Sequence, residues 1–177
     1  MQRLSRTAAL MIALALAISL GPIQAQRGDD ANRLSKNGKT EGSIDGIDLT
    51  LEYGRPSVKD RKIWGGLVPY DKVWRTGADE CSSITLSSDV TIQGENLGAG
   101  TYSLFTVPGE EEWTVIFNKV AEQWGAFNYD ESKDALRVTA QSRPAEFIES
   151  LEIQIEGSEV VLRWADLAVP FTIAAAD

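Results

Sequence analysis

Between Tyr53 and Glu80 the chain reads YGRPSVKDRKIWGGLVPYDKVWRTGADE. Arg55, Arg61 and Arg75 stand there with Lys59, Lys62 and Lys72, beside Trp64 and Trp74. A guanidinium presents five donors in a planar fork that fits a carboxylate, phosphate or sulfate two-handed. Arg75 follows Trp74, and Arg61 and Lys62 precede Trp64. Aromatic faces beside cations occur where sugars and anionic ligands dock, and the same rings can hold the arginine itself. The chemistry suggested is recognition of a small polar or anionic ligand or a glycan. A structural reading stands beside it: these arginines can pair with Asp60, Asp71, Asp79 or Glu80 and merely hold the loop down.

A second place is NKVAEQWGAFNYDES, from Asn118 to Ser132. Trp124 lies in a non-periodic stretch, where it can serve as a sugar platform or plug the open end of a β framework. Asp130, Glu131 and Asp134 lack the D-x-D-x-D-G spacing of a calcium loop and read as a solvated acidic patch, so no metal site is expected. Some pair of carboxylates for a glycoside hydrolase is always available among 26 acidic residues, so that reading stays open without support from spacing.

The chain has no histidine. Ser-His-Asp and Cys-His catalysis and His-ligated metals are thereby excluded. The single cysteine, Cys81, leaves no internal disulfide and reads as a small buried residue at a strand start. There is no G-x-S-x-G and no phosphate loop, and no cofactor is expected.

The elements that must position these residues alternate with period two. Ile47, Leu49, Leu51 and Tyr53 face one way, after an Asp45-Gly46 hairpin signal. Short β-rich runs follow: SSITLS, VTIQ, GTYSLFTVPG, EWTVIFN, ALRVTAQ, LEIQIEG, EVVLRWADL and AVPFTIA. Spacing of roughly 8–12 residues per strand predicts an all-β antiparallel sandwich, with a partly open barrel as the alternative. Helix is expected only as short pieces near Lys119–Gln123 and Asp130–Ala135. Residues 54–72 form one long loop, with enough apolar side chains to be ordered. Trp113 and Trp164 fall inside strand patterns and are expected in the core.

The N-terminus has a different pattern. Arg3 and Arg6 precede an apolar run from Ala8 to Leu20, broken by Gly21-Pro22 and ending in a small residue at Ala25. Residues 1–25 therefore read as a secretory signal peptide, because that run is too short for a hydrocarbon core of roughly 30 Å. Residues 26–38 read as a flexible leader, and 39–177 as a single domain with no membrane span after cleavage. The net charge is −9, which argues against nucleic acid and anionic lipid as partners. The charge is uneven, with ten basic and eight acidic residues in 26–75 against five and eighteen in 76–177. The arginine loop is thus a basic island.

These quoted motifs, with AGTYSLFTVPGEEEWTVIFNK and QWGAFNYDESKDALRV, resemble the bacterial exported family called domain of unknown function 2911. The resemblance runs from about Lys39 to Ile173. It implies an exported, largely β domain with no established activity. Its hallmark positions match Arg55, Pro56, Arg61, Trp74, Arg75, Gly77, Ala78 and Glu80, then Asn118, Trp124, Gly125 and Tyr129. Two departures are Asp79, where the family commonly has Asn, and Lys59, where it often has Gly. The candidate ligand-binding residues are Arg55, Arg61, Trp74, Arg75, Glu80, Asn118, Trp124 and Tyr129. An exported binding protein is expected, with a carboxylate-based hydrolase and an envelope interaction protein as alternatives. Mass spectrometry of exported material is expected to find an N-terminus near Gln26; an intact Met1 on membrane-bound protein refutes the signal peptide.

Overall fold

The Asp45-Gly46 signal forms a tight turn, with left-handed φ of 51° and 81° and Ile44 facing Ile47. It joins β1 (Lys36–Ile44) to β2 (Ile47–Arg55). The structure, a computed structural model, describes residues 27–176; the expected signal peptide lies outside them. β3 (Ser82–Leu86), β4 (Val90–Ile92), β5 (Glu95–Leu97), β6 (Gly100–Val107) and β7 (Glu112–Asn118) follow. β8 (Asp134–Gln141), β9 (Arg143–Glu156) and β10 (Glu159–Ala175) complete the framework.

All pairings are antiparallel, in two open sheets rather than a closed barrel. One has the order β1-β2-β3-β6-β7-β8, the other β5-β4-β10-β9. One apolar cluster takes side chains from both, including Leu51, Ile84 and Phe117 from the first and Ile153, Leu162 and Phe171 from the second. Phe117 and Phe171 meet edge to face at 5.9 Å. Period two is visible residue by residue: Leu104 and Phe117 point into this core, whereas Phe105 and Ile116 point to a smaller cluster with Cys81 on the outer face. The architecture is a β-sandwich.

Several boundaries differ from expectation. EVVLRWADL and AVPFTIA are one strand, β10, bent by a bulge at Ala165, where φ is 52° and the register shifts. Pro170 is tolerated because it falls between the stretch paired with β9 and the stretch paired with β4. β9 begins at Arg143, ahead of the expected LEIQIEG run. Among the described residues there is no α-helix: Lys119–Gln123 is irregular, and a 3₁₀ turn at Glu131–Lys133 is capped by Asp130. None of their helices is long and apolar enough to cross a membrane.

The long loop is ordered and belongs to the sandwich. Val58 N donates to Glu149 O at 2.8 Å and Leu151 N to Pro56 O at 3.0 Å, so Pro56–Val58 pairs with the outer edge of β9. The edge carbonyls of β9 also receive Thr40, Tyr53 and Arg55 side chains, which joins β1 and β2 to the other sheet. Further along, Trp64 enters the core at 7% exposure. It stands edge-on to Trp113 at 5.0 Å, Trp164 at 5.7 Å and Trp74 at 6.0 Å, while Trp74 stacks on Trp164. Trp113 and Trp164 are buried, as their strand positions implied.

Removing the indole of Trp64 should therefore act as a core deletion although the residue lies in a loop. Trp64→Ala is expected to lower the unfolding free energy by about 3–5 kcal/mol, read by urea titration of the remaining tryptophan fluorescence. A loss under about 1 kcal/mol, the size of a surface change, refutes this role.

Candidate functional site

The chain returns from the loop at Trp74, which exchanges two backbone hydrogen bonds with Thr106 at 2.8 and 2.9 Å. Ser82 N then donates to Arg75 O at 3.1 Å. Residues 76–81 thus bulge out of the line between Trp74 and β3. Ser82 Oγ, donating to Thr76 O at 2.8 Å, closes the neck. The bulge needs left-handed backbone at Thr76 (φ 55°) and Asp79 (φ 62°). Asp and Asn tolerate that region best among non-glycine residues, so Asp79 suits the backbone there. Gly54 has a different duty. A Cβ there would lie 2.3 Å from Ala78 O, so only glycine lets the bulge cross the end of β2.

Two arginines from the expected flexible leader lock the bulge. Arg27, its side chain 8% exposed, donates to the carbonyls of Ala78, Glu80 and Cys81 at 3.2, 3.0 and 3.1 Å. Arg33 grips Glu80 with both terminal nitrogens and reaches Asp79 at 3.3 Å. Gly28 N adds a hydrogen bond to Glu80. The leader is therefore anchored at Arg27 and Arg33, and strand pairing starts at Lys36. Neither arginine was singled out by sequence, because their partners lie some fifty positions away and leave no local pattern.

The hydrogen bonds from Arg33 hold the Glu80 carboxyl down to about 2, with Gly28 N and the Arg27 charge adding to the effect. Burial lowers the Arg27 guanidinium and pushes the Cys81 thiol up to about 12. Cys81 is thus an inert buried residue at the foot of β3.

The bulge is a wall between two cavities. The first, about 260 Å³, is lined by Arg27, Glu80, Ser83, Glu122, Gln123 and Trp124 among others. Trp124 is 59% exposed there and is fixed through its backbone, which bridges to Glu80. The second, about 310 Å³, is lined by Lys59, Arg61, Trp74, Arg75 and Asp79, with Ser57, Leu34 and Leu67. Arg75 and Trp124 line different cavities, and Arg55 lines neither, so these three do not converge on one pocket.

The remaining candidates are tied into the frame. Arg55 donates to Leu151 O at 3.2 Å and to Glu152 at 2.7 Å. Asn118, fully buried, donates to Asp130 O and Asp134 and accepts from Val120 N, fastening the turn after β7. Tyr129 donates to Asp134 at 2.6 Å and packs on Phe105; burial, then that hydrogen bond, raises its pKa. Arg61 caps Val58 O and Ser57 O while lining the second cavity. Lys59 lies in the same turn with φ 48°, a conformation that glycine adopts without strain.

Arg75 is the exception. Arg27, Arg33, Arg55, Arg61, Arg137, Arg143 and Arg163 each donate to a protein acceptor. Arg75 has none among the described residues, and its Nε is buried.

A family model described as Protein of unknown function (DUF2911) matches residues 35–173. The chain belongs to that family. The match takes in every strand except the last two residues of β10, and leaves out Arg27, Arg33 and Leu34 of the leader. Comparison with curated proteins and with solved structures found no match.

Because its folded pKa is depressed, the Glu80 carboxylate stabilises the fold above its ordinary value of 4.5, and that contribution is lost as pH falls from there towards 2. Glu156 and Asp130 are lowered as well and share the window. Wild-type melting temperature should therefore drop between pH 5 and 2. Glu80→Gln should melt lower at pH 7 and show a shallower drop. Parallel curves for the two proteins refute the assignment.

Proposed function

We propose that the family's arginine loop forms a binding site for a small anionic ligand, in the cavity lined by Lys59, Arg61 and Arg75. The observation that carries this reading is the unpartnered guanidinium of Arg75 in a protein whose other described arginines are all paired. No hydrogen bond joins the terminal nitrogens of Arg75 to a protein acceptor among the described residues, and a carboxylate or phosphate in the cavity would give them charged partners. Three cations line the cavity against one carboxylate, Asp79, which Arg33 already neutralises in part. In a chain of net charge −9 this is a local positive well, and it attracts anions by its field as well as by contact.

The hydrolase alternative gains nothing from the geometry. Glu80, the family's hallmark carboxylate, is held ionised by two arginines and a backbone N–H. A general acid needs a pKa near the working pH. Trp124 serves, on this reading, a separate surface beside the first cavity. The family resemblance and the N-terminal pattern support an exported protein acting in the periplasm or outside the cell.

Glucuronate and inorganic phosphate are the probes for a thermal-shift test. Saturating ligand should raise the wild-type stability by about 2.7 kcal/mol at one hundred times Kd. Arg75→Lys keeps the charge but loses the fork, and should weaken binding about tenfold while leaving the unliganded melting temperature unchanged. If no small carboxylate or phosphate shifts the wild type, or if Arg75→Lys melts early without ligand, the binding role is wrong.

A further inference from the structure

The second cavity is not only cationic. Its rim carries Leu34, 90% exposed, and Leu67, 47% exposed, from two separate segments, and its interior includes Trp74 and the buried Val68. Large exposed apolar side chains are few among the described residues, and two of them flank the same opening. Resting on the anion-binding reading above, we infer that the ligand is an amphiphilic organic carboxylate: a carboxylate on Arg75 and an apolar body between Leu34, Leu67 and Trp74.

Size supports this class. A cavity of about 310 Å³ is within the range that small organic ligands occupy. Inorganic phosphate is small against it and has no apolar surface to set against the rim. A sugar acid fills the space but sets hydroxyls against Leu34, Leu67 and Trp74, which offer them no hydrogen bonds, so their lost water contacts go uncompensated. An apolar body removes exposed leucine surface from water and leaves Arg75 its planar partner. The planar fork matches a carboxylate's two oxygens directly.

Calorimetric titration of the full mature chain with phenylacetate, glucuronate and inorganic phosphate tests the inference. Phenylacetate is expected to bind about tenfold tighter than either of the others. Leu67→Ser, a change at a half-exposed rim position that the fold does not depend on, should erase that advantage and leave phosphate binding as it was. Equal or tighter binding of phosphate or glucuronate overturns the amphiphile and leaves the anion site standing. A phenylacetate advantage that survives Leu67→Ser places the apolar body elsewhere and overturns it too. Binding of none of the three overturns the anion site and this inference together.

Discussion

The edge-on insertion of Trp64 into Trp74, Trp113 and Trp164 is the contact on which the rest of the molecule depends. Two of those rings come from the sheets and two from the loop, so the cluster fixes the loop to the sandwich from both of the loop's halves. The balance is favourable despite a defect. The Nε1 atoms of Trp64 and Trp113 are buried without a partner among the described residues, at about 1–3 kcal/mol each. Each ring buries roughly 150–250 Å², worth about 4–6 kcal/mol at 25 cal/mol per Å², and edge-to-face geometry adds to that. Packing outweighs the lost hydrogen bonds. Without this anchor, neither Arg61 nor Arg75 would have a fixed position relative to the other.

A loop held by packing still has to satisfy its backbone. Pro56–Cys81 has few ladder partners, and its carbonyls are met by turn and cross-segment N–H groups and, where those run out, by side chains. Arg61 caps two of them locally, and Arg27 caps three across the bulge. Arg55 does the same for the exposed edge of β9. The basic island in an acidic chain is thereby explained in large part by structure. A guanidinium with five donors is the side chain best able to serve several carbonyls at once. The structural reading holds for Arg55 and Arg61, whose donors are taken by protein acceptors, and the proposed ligand-binding reading rests on Arg75.

What was legible in the sequence follows from how local each signal is. The Asp45-Gly46 turn and the alternation of Ile47 to Tyr53 are carried by neighbouring residues, and the structure reproduces them. Arg143 to Ser150 escaped because that half of β9 has mostly exposed side chains on both faces, so no alternation marks it, and Pro144 reads as a breaker. Backbone pairing with β10 makes it a strand regardless. The apparent end of a strand near Asp166 was a bulge at Ala165, a conformation with no sequence marker in an alanine. Of the candidate site, the concentration of cations and aromatics was legible, but not its division into two cavities. That division comes from the 76–81 bulge and the Arg27 and Arg33 contacts, all set by residues remote in sequence.

Arg55 and Arg75 look equivalent in sequence, each flanking the loop beside an aromatic residue, and they end in opposite conditions. Arg55 lies against an edge strand whose carbonyls and Glu152 take its donors. Arg75 lies at the neck of the bulge, where its own carbonyl accepts from Ser82 N and Asp79 faces Arg33. The carboxylate that shares its cavity, Asp79, is engaged by Arg33 of the leader. Arg33 therefore does more than fasten the bulge: by pairing with Asp79 it leaves the charge of Arg75 less compensated. Local and global preferences agree almost everywhere in this fold, and a place where they part is where a functional site is expected. The Arg33–Asp79 ion pair and the open donor on Arg75 are on this view two sides of one arrangement.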